Sequence, residues 1–152
     1  MERALVVVDD TDTHKKLLRE AGELAAGVGA DLVLLAILSE EDYEESFETI
    51  ETISETEGTS YGEDTVLDGE RAFARDFAED VLDDVAVEYE TAAAVAEEGE
   101  RADQILGTAE KNGCDHVFIV GRQRSPTGKA IFGDTAQSVI LNFDGPVTIR
   151  TS

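Results

Sequence analysis

The sequence predicts an α/β domain: one doubly wound, mostly parallel five-stranded sheet with helices on both faces. Three observations carry this. Short apolar runs alternate with helix-period segments from one end of the chain to the other. Most of the joins between them are short, so successive strands are linked by helical crossovers, which implies parallel pairing. The 152 residues are 41% hydrophobic, enough for one core and a common size for one domain. Residues 1–152 are therefore read as a single domain, with no internal repeat and no boundary.

The elements follow in order. "ALVVV" (Ala4 to Val8) is a continuous apolar run ending in acids, the pattern of a buried strand. In the next segment Leu17, Leu18, Ala21, Leu24, Ala25 and Val28 recur at helical spacing, and Gly27 or Gly29 ends the helix. "DLVLLAIL" (Asp31 to Leu38) is a second buried strand, completing a βαβ unit. From Ser39 to about Asp68 the periodicity lapses into an acidic stretch, read as a mobile connection. Tyr43, Phe47 and Ile50 would form one short amphipathic turn within it. "GERAFARDFAEDVLDDVA" is a helix whose stripe is Ala72, Phe73, Phe77, Val81, Leu82 and Val85. "VEYETAAAV" is a third strand, and "ERADQILGTAEKNG" is a helix closed by Gly113. "HVFIVG" is a fourth strand, followed by a glycine-containing loop. "DTAQSVILNF" is a helix with Ala136, Val139, Ile140 and Phe143 facing in. "PVTIR" is the fifth strand, with Pro146 at its start, where a missing N–H is tolerated.

Charge bounds the partners. The chain has 35 Asp and Glu against 12 Lys and Arg, a net charge of -23. Such a surface as a whole repels nucleic acid and anionic membranes. It also opposes its own compaction in dilute salt. At molar salt the Debye length falls to about 3 Å. The acids are spread along nearly the whole chain, so the acidity reads as adaptation to a salt-rich, halophilic interior. An acidic surface for a basic partner is the alternative. The single cysteine, Cys114, excludes an internal disulfide and a Cys-rich metal site, and reads as a small, partly buried apolar residue. The N-terminus meets an acid at Asp9, directly after its apolar run, which matches neither a signal peptide nor a membrane span. The expected location is the cytoplasm.

Open parallel sheets bind ligands beyond the carboxyl ends of their strands, where the strand order reverses. Two such ends are informative here: "DDTDTH" after the first strand and "GRQRSPTGK" after the fourth. If these strands are neighbours, Asp9 and Gly121 face one crevice. No acid occurs from His116 to Gly133, and Arg122, Arg124 and Lys129 lie in that gap with Gly121, Gly128 and Gly133. Glycines let backbone N–H groups approach an anion, and a helix N-terminus adds partial positive charge. A tight loop whose cations are solvated or paired with acids is the alternative. Two phosphate motifs are absent. Gly128-Lys129 is followed by Ala130, not by the hydroxyl of a P-loop, and "DDTDTH" contains no glycine for a dinucleotide fingerprint.

At these residues the chain resembles the universal stress protein family, the UspA-like domain. The likeness lies in "VVVDDTD", the variable segment after the second strand, and the closing "VGRQRSPTGKAIFGDTAQSVILNFDGPVTI". The resemblance implies strand order 3-2-1-4-5 and, for many members, a homodimer formed through the last strand, here Val147 to Arg150. Nucleotide-binding members carry G-x-x-G-x₉-G-[ST] after the fourth strand and take ATP or AMP, with Mg²⁺ as a possible companion. On that pattern Asp9 matches the nucleoside-contacting Asp, and Ile37 lies near the adenine-contacting backbone. Gly121 and Gly133 match the first and third motif glycines. Arg124 replaces the second glycine, the interval is one residue short, and Asp134 stands where Ser or Thr is expected, with Thr135 next. Arg122, Gly128 and Lys129 complete the candidate loop.

Asp134 has a plain role as helix N-cap, with Gln137 three residues on as its capping-box partner. Asp9, Asp10 and Asp12 cluster after the first strand, but Asp12 or Thr11 as the next helix's N-cap is preferred to a divalent-ion site. His14 sits near the crevice mouth, and His116 reads as packing before a strand. No nucleophile–base pair or metal-ligand spacing appears, so at most slow ATP hydrolysis is expected. The first functional reading is a stress-response or signalling protein with an adenine-nucleotide crevice. The second is an interaction protein of the same fold without nucleotide, acting through its dimer surface or the acidic 39–68 segment.

Overall fold

The computed structural model describes residues 1–45, 63–121 and 133–151. Five parallel strands form one sheet in the order β3-β2-β1-β4-β5, as expected. They are β1 (Arg3–Val8), β2 (Asp31–Ser39), β3 (Tyr89–Ala96), β4 (His116–Gly121) and β5 (Val147–Thr151). The helices are α1 (Asp12–Val28), α2 (Glu63–Val81), α3 (Arg101–Lys111) and α4 (Gly133–Asn142), with a 3₁₀ turn at Glu98–Glu100.

The two apolar faces of β1 and β2 build two cores. Val6, Val8, Leu32, Leu34 and Phe118 pack under α1 and α2. Leu5, Val7, Val33, Leu35, Val117 and Ile119 pack under α3 and α4. This is why the central strands read as continuous apolar runs: each is covered on both sides.

Helix ends follow local chemistry. Thr11 caps α1, its side chain accepting the His14 backbone N–H at 3.1 Å. α1 ends at Gly29, whose φ of 73° is left-handed, and Ala30 N–H then reaches back to the Ala25 carbonyl at 2.8 Å. Gly113 closes α3 in the same manner, with φ 66° and the Cys114 N–H on the Ala109 carbonyl at 2.8 Å.

Several expectations need correction. Residues 40–45 are helical and α2 begins at Glu63, so both ends of the supposed 39–68 connection are ordered helix. Val66, 5% exposed, starts the α2 stripe, and acidic neighbours hid that period. Tyr43 falls within the helical turn, whereas Phe47 and Ile50 lie outside the described residues, as does the acidic stretch 46–62. α2 also stops at Val81, short of the expected end, because the chain turns there and Val85 N–H bonds the Leu82 carbonyl. Leu24, Val28 and Ile140 are 50%, 63% and 41% exposed, so they face out. α1 instead buries an arc of Leu17, Leu18, Ala21, Gly22 and Ala25. Gly22 belongs to it because α1 crosses close to Leu82: a Cβ there would lie 2.5 Å from Leu82 Cδ2.

Candidate functional site

The crevice is created by where strand pairing stops. β1 pairs with β2 as far as Val8–Ala36, and β4 pairs with β5 as far as Gly121–Thr151. Between β1 and β4 the ladder ends earlier, at Val6–Phe118. The sheet therefore parts at the carboxyl ends of its two middle strands, at the point where strand order reverses. Extending the register brings Asp9 level with Gly121. This is the juxtaposition that the sequence made conditional on β1 and β4 being neighbours.

Asp9 lies at the lip, exposed, directly after β1. Its backbone carbonyl accepts the Thr11 N–H at 2.9 Å, and its Oδ1 accepts the Asp10 N–H at 2.8 Å. Both bonds fix the turn into α1. On the far wall Gly121 is buried as the last residue of β4. Ile37 is half-buried on β2, paired with Ala94 and packed on the α3–α4 side. Gly133 opens α4 with φ 80°. Asp134 is exposed and Thr135 half-buried in the first turn of α4. Arg122, Arg124, Gly128 and Lys129 lie outside the described residues.

The N-cap role expected of Asp134 is corrected. α4 starts one residue earlier, at Gly133, because a left-handed glycine makes the turn into the helix. Asp134 is then a first-turn acid, favoured by the helix dipole, and not the capping residue.

The crevice mouth carries groups that sequence reasoning passed over. Glu70, on α2, is half-buried, and burial, then Asp9 and Asp42, push its carboxyl upward. Glu40 is raised mainly by a hydrogen bond to Glu97, then by burial and the neighbouring Glu100 and Glu44. These acids come together only through the fold, from four separate segments. His14 is half-buried beside Asp9 and Arg101, and burial lowers its pKa. Its Nδ1 lies 2.7 Å from Thr11 Oγ1. The spacing of Thr11 and His14, three residues apart across a helix start, was the one signal available in the sequence.

The remaining candidates fall elsewhere. His116 begins β4 at the opposite pole, where Nε2 meets Thr148 Oγ1 at 2.8 Å and the ring stacks on Phe118 at 4.5 Å. Cys114 is half-buried, and burial pushes its thiol up to about 11, so it is a poor nucleophile. It borders a cavity of about 350 Å³ with Leu106, Glu110 and Phe143, also away from the crevice. Among the described residues no three His, Cys, Asp or Glu side chains form a metal-ligand cluster, which leaves Asp9, Asp10 and Asp12 as turn and cap residues. No described helix is long and apolar enough to cross a membrane.

The comparisons agree with this geometry. A family model described as the universal stress protein family matches residues 1–150. A universal stress protein from Archaeoglobus fulgidus is 25% identical, with a TM-score of 0.65 over 98% of each chain. A structure of the Archaeoglobus fulgidus universal stress protein in complex with dAMP is 21% identical, with a TM-score of 0.62 over 98% of this chain and 97% of that one. A universal stress protein in complex with cAMP is 15% identical, with a TM-score of 0.61 over 99% of this chain and 96% of that one. No curated protein gives a significant match to the sequence.

Proposed function

The chain belongs to the universal stress protein family, and on that premise we propose that it is a stress-response protein that takes an adenine nucleotide, ATP or AMP, in the crevice between β1 and β4. The observation that carries this is the early end of the β1–β4 ladder at Val6–Phe118, with Asp9 on one lip and Gly121 on the other. Relatives of the same fold solved with dAMP and with cAMP support an adenine nucleotide as the ligand class.

In this reading Asp9 receives the nucleoside end, and backbone near Ile37 meets the base. Gly121, Gly128, Gly133 and Thr135 hold the phosphates, with Arg122, Arg124 and Lys129 supplying charge. Asp134 works against them. Like charges at about 4 Å repel by roughly 1–4 kcal/mol across effective dielectrics of 80 to 20. A charge-assisted hydrogen bond to phosphate contributes about 1.5–3 kcal/mol. Two engaged cations therefore outweigh one acid. A Mg²⁺ ion between Asp134 and the phosphates would turn the repulsion into attraction. Binding is expected to be weak, to favour AMP in the absence of Mg²⁺, and to extend to ATP in its presence.

The test is the rise in melting temperature with ATP, ADP and AMP, with and without Mg²⁺, in molar KCl. A rise for AMP alone, extended to ATP by Mg²⁺, is the expected pattern. No rise for any of the three at millimolar concentration rejects the nucleotide reading.

A second reading is favoured by the sheet edge. β5 pairs only with β4, so one edge of it is open, and the adjoining α4 exposes Ile140 and Leu141 at 41% and 72%. Open edges and exposed apolar side chains are where a second copy docks. In this reading the chain is a homodimer whose interface or acidic segment recruits another protein, in the cytoplasm, with no nucleotide. Sedimentation in molar KCl separates dimer from monomer and does not depend on the nucleotide result.

A further inference from the structure

Thr11 makes two bonds at the start of α1. Its Oγ1 accepts the His14 backbone N–H at 3.1 Å and lies 2.7 Å from His14 Nδ1. A hydroxyl has one proton and two acceptor lone pairs. With one lone pair used by the backbone N–H, the hydroxyl proton is free to go to Nδ1. That makes Nδ1 the acceptor and leaves the ring proton on Nε2. The reverse assignment gives Oγ1 two donors and leaves its own proton seeking an acceptor, and Thr11 Oγ1 has no third partner among the described residues.

The ring is held neutral. Burial lowers its pKa most, Arg101 at the start of α3 lowers it further, and Asp9 opposes them. Nε2 has no partner among the described residues. No buried side-chain nitrogen or oxygen there lacks one, so Nε2–H opens to solvent. A single oriented donor thus stands next to an exposed carboxylate, Asp9, at the lip of the crevice. A carboxylate only accepts and this imidazole edge only donates. A hydroxyl group satisfies both at once, by donating to Asp9 and accepting from His14. A phosphate oxygen suits His14 alone and is repelled by Asp9.

We propose that His14 is a ligand-contacting residue of the crevice, its Nε2–H donating to a sugar hydroxyl that is shared with Asp9, and that Thr11 is the positioning residue that fixes the tautomer. This rests on the nucleotide reading above and names the part of the nucleotide that the β1 lip recognises.

The test uses ¹⁵N spectra of the imidazole nitrogens in the full chain in molar KCl, with AMP as the probe. The expected result is the Nε2–H tautomer in the free protein, kept in Thr11→Ser and lost in Thr11→Val. AMP should move the Nε2 resonance and leave Nδ1 in place. His14→Asn should weaken AMP about fivefold, the value of one neutral hydrogen bond, and His14→Gln, which reaches as far as Nε2, should keep most of the affinity. The His14→Asn loss should vanish with 2′,3′-dideoxy-AMP. An Nδ1–H tautomer overturns the inference. So does AMP binding that shifts the Gly121 amide but leaves Nε2 unmoved, and that result spares the nucleotide reading. No AMP-induced shift at Gly121 or at Nε2 overturns both.

Discussion

Val6 and Phe118 form the last paired step between β1 and β4. Beyond them each strand continues with its other neighbour, β1 with β2 and β4 with β5. The candidate site follows from that divergence. It opens the sheet at its centre, and it sets Asp9 and Gly121 on opposite lips without a domain boundary or a moving part.

The acid in the first turn of α4 should limit affinity. Asp134→Ser should tighten AMP binding by about three- to tenfold, the relief of roughly 1 kcal/mol of repulsion at a solvent-exposed distance. The dissociation constants of the two proteins in molar KCl decide it. Equal constants mean that Asp134 does not face the phosphates.

Packing between α1 and the end of α2 should be intolerant of one methyl. Gly22→Ala places Cβ 2.5 Å from Leu82 Cδ2, and Leu82 is 5% exposed and has little room to yield. A loss of about 1–3 kcal/mol is expected from urea unfolding. The double variant Gly22→Ala, Leu82→Val should recover part of it. Wild-type stability for the single variant contradicts the close approach.

The amino pole should be sensitive to acid through Asp115. Its carboxylate accepts the Glu2 N–H at 2.9 Å and the Arg3 N–H at 3.3 Å, and these bonds, the Glu2 bond first, hold its pKa below the usual range. A depressed folded pKa means that the stabilisation is present above the unfolded Asp pKa of about 3.9 and is lost as pH falls through the lower folded value. Asp115→Asn should therefore lower the melting temperature at pH 7, with the difference from wild type shrinking below about pH 4. An unchanged gap at pH 3 refutes the assignment.

Cys114 should be chemically quiet. With its thiol pushed up to about 11 by burial, alkylation by iodoacetamide at pH 8 should run on the order of a hundredfold slower in the folded chain than in denaturant. Equal rates in the two states contradict the burial.

The surface charge should make stability depend on salt. At a net charge of -23, raising KCl from ~0.1 M to molar concentration should raise the unfolding free energy as repulsion is screened. Full stability at ~0.1 M KCl contradicts the halophilic reading of the composition.

The strands were legible because each central run is covered on both faces, so Ala4 to Val8 and Leu32 to Ala36 are apolar without alternation. Helix ends were legible where a single residue type decides them, as at Thr11, Gly29 and Gly113. The α2 start was hidden because the turns around Val66 are acidic, and the stripe has to be seen against its neighbours in the core to be recognised. Leu24 and Ile140 were misassigned for the same reason: helical spacing identifies a stripe, but only packing says how wide the buried arc is. At the site, Asp9 and Gly121 followed from topology alone. Glu70, Asp42 and Arg101 did not, because their nearness to Asp9 and His14 is made by the fold and leaves no local spacing to read.

The central claim is that the parting of β1 and β4 holds an adenine nucleotide against Asp9. Calorimetric titration of AMP into the wild-type chain and into Asp9→Ala, both in molar KCl, tests it most directly. The account predicts one site per chain for the wild type and an affinity about tenfold weaker for Asp9→Ala, the loss expected of one hydrogen bond to a charged group. No heat from the wild type at millimolar AMP, or equal affinity in the two proteins, contradicts it.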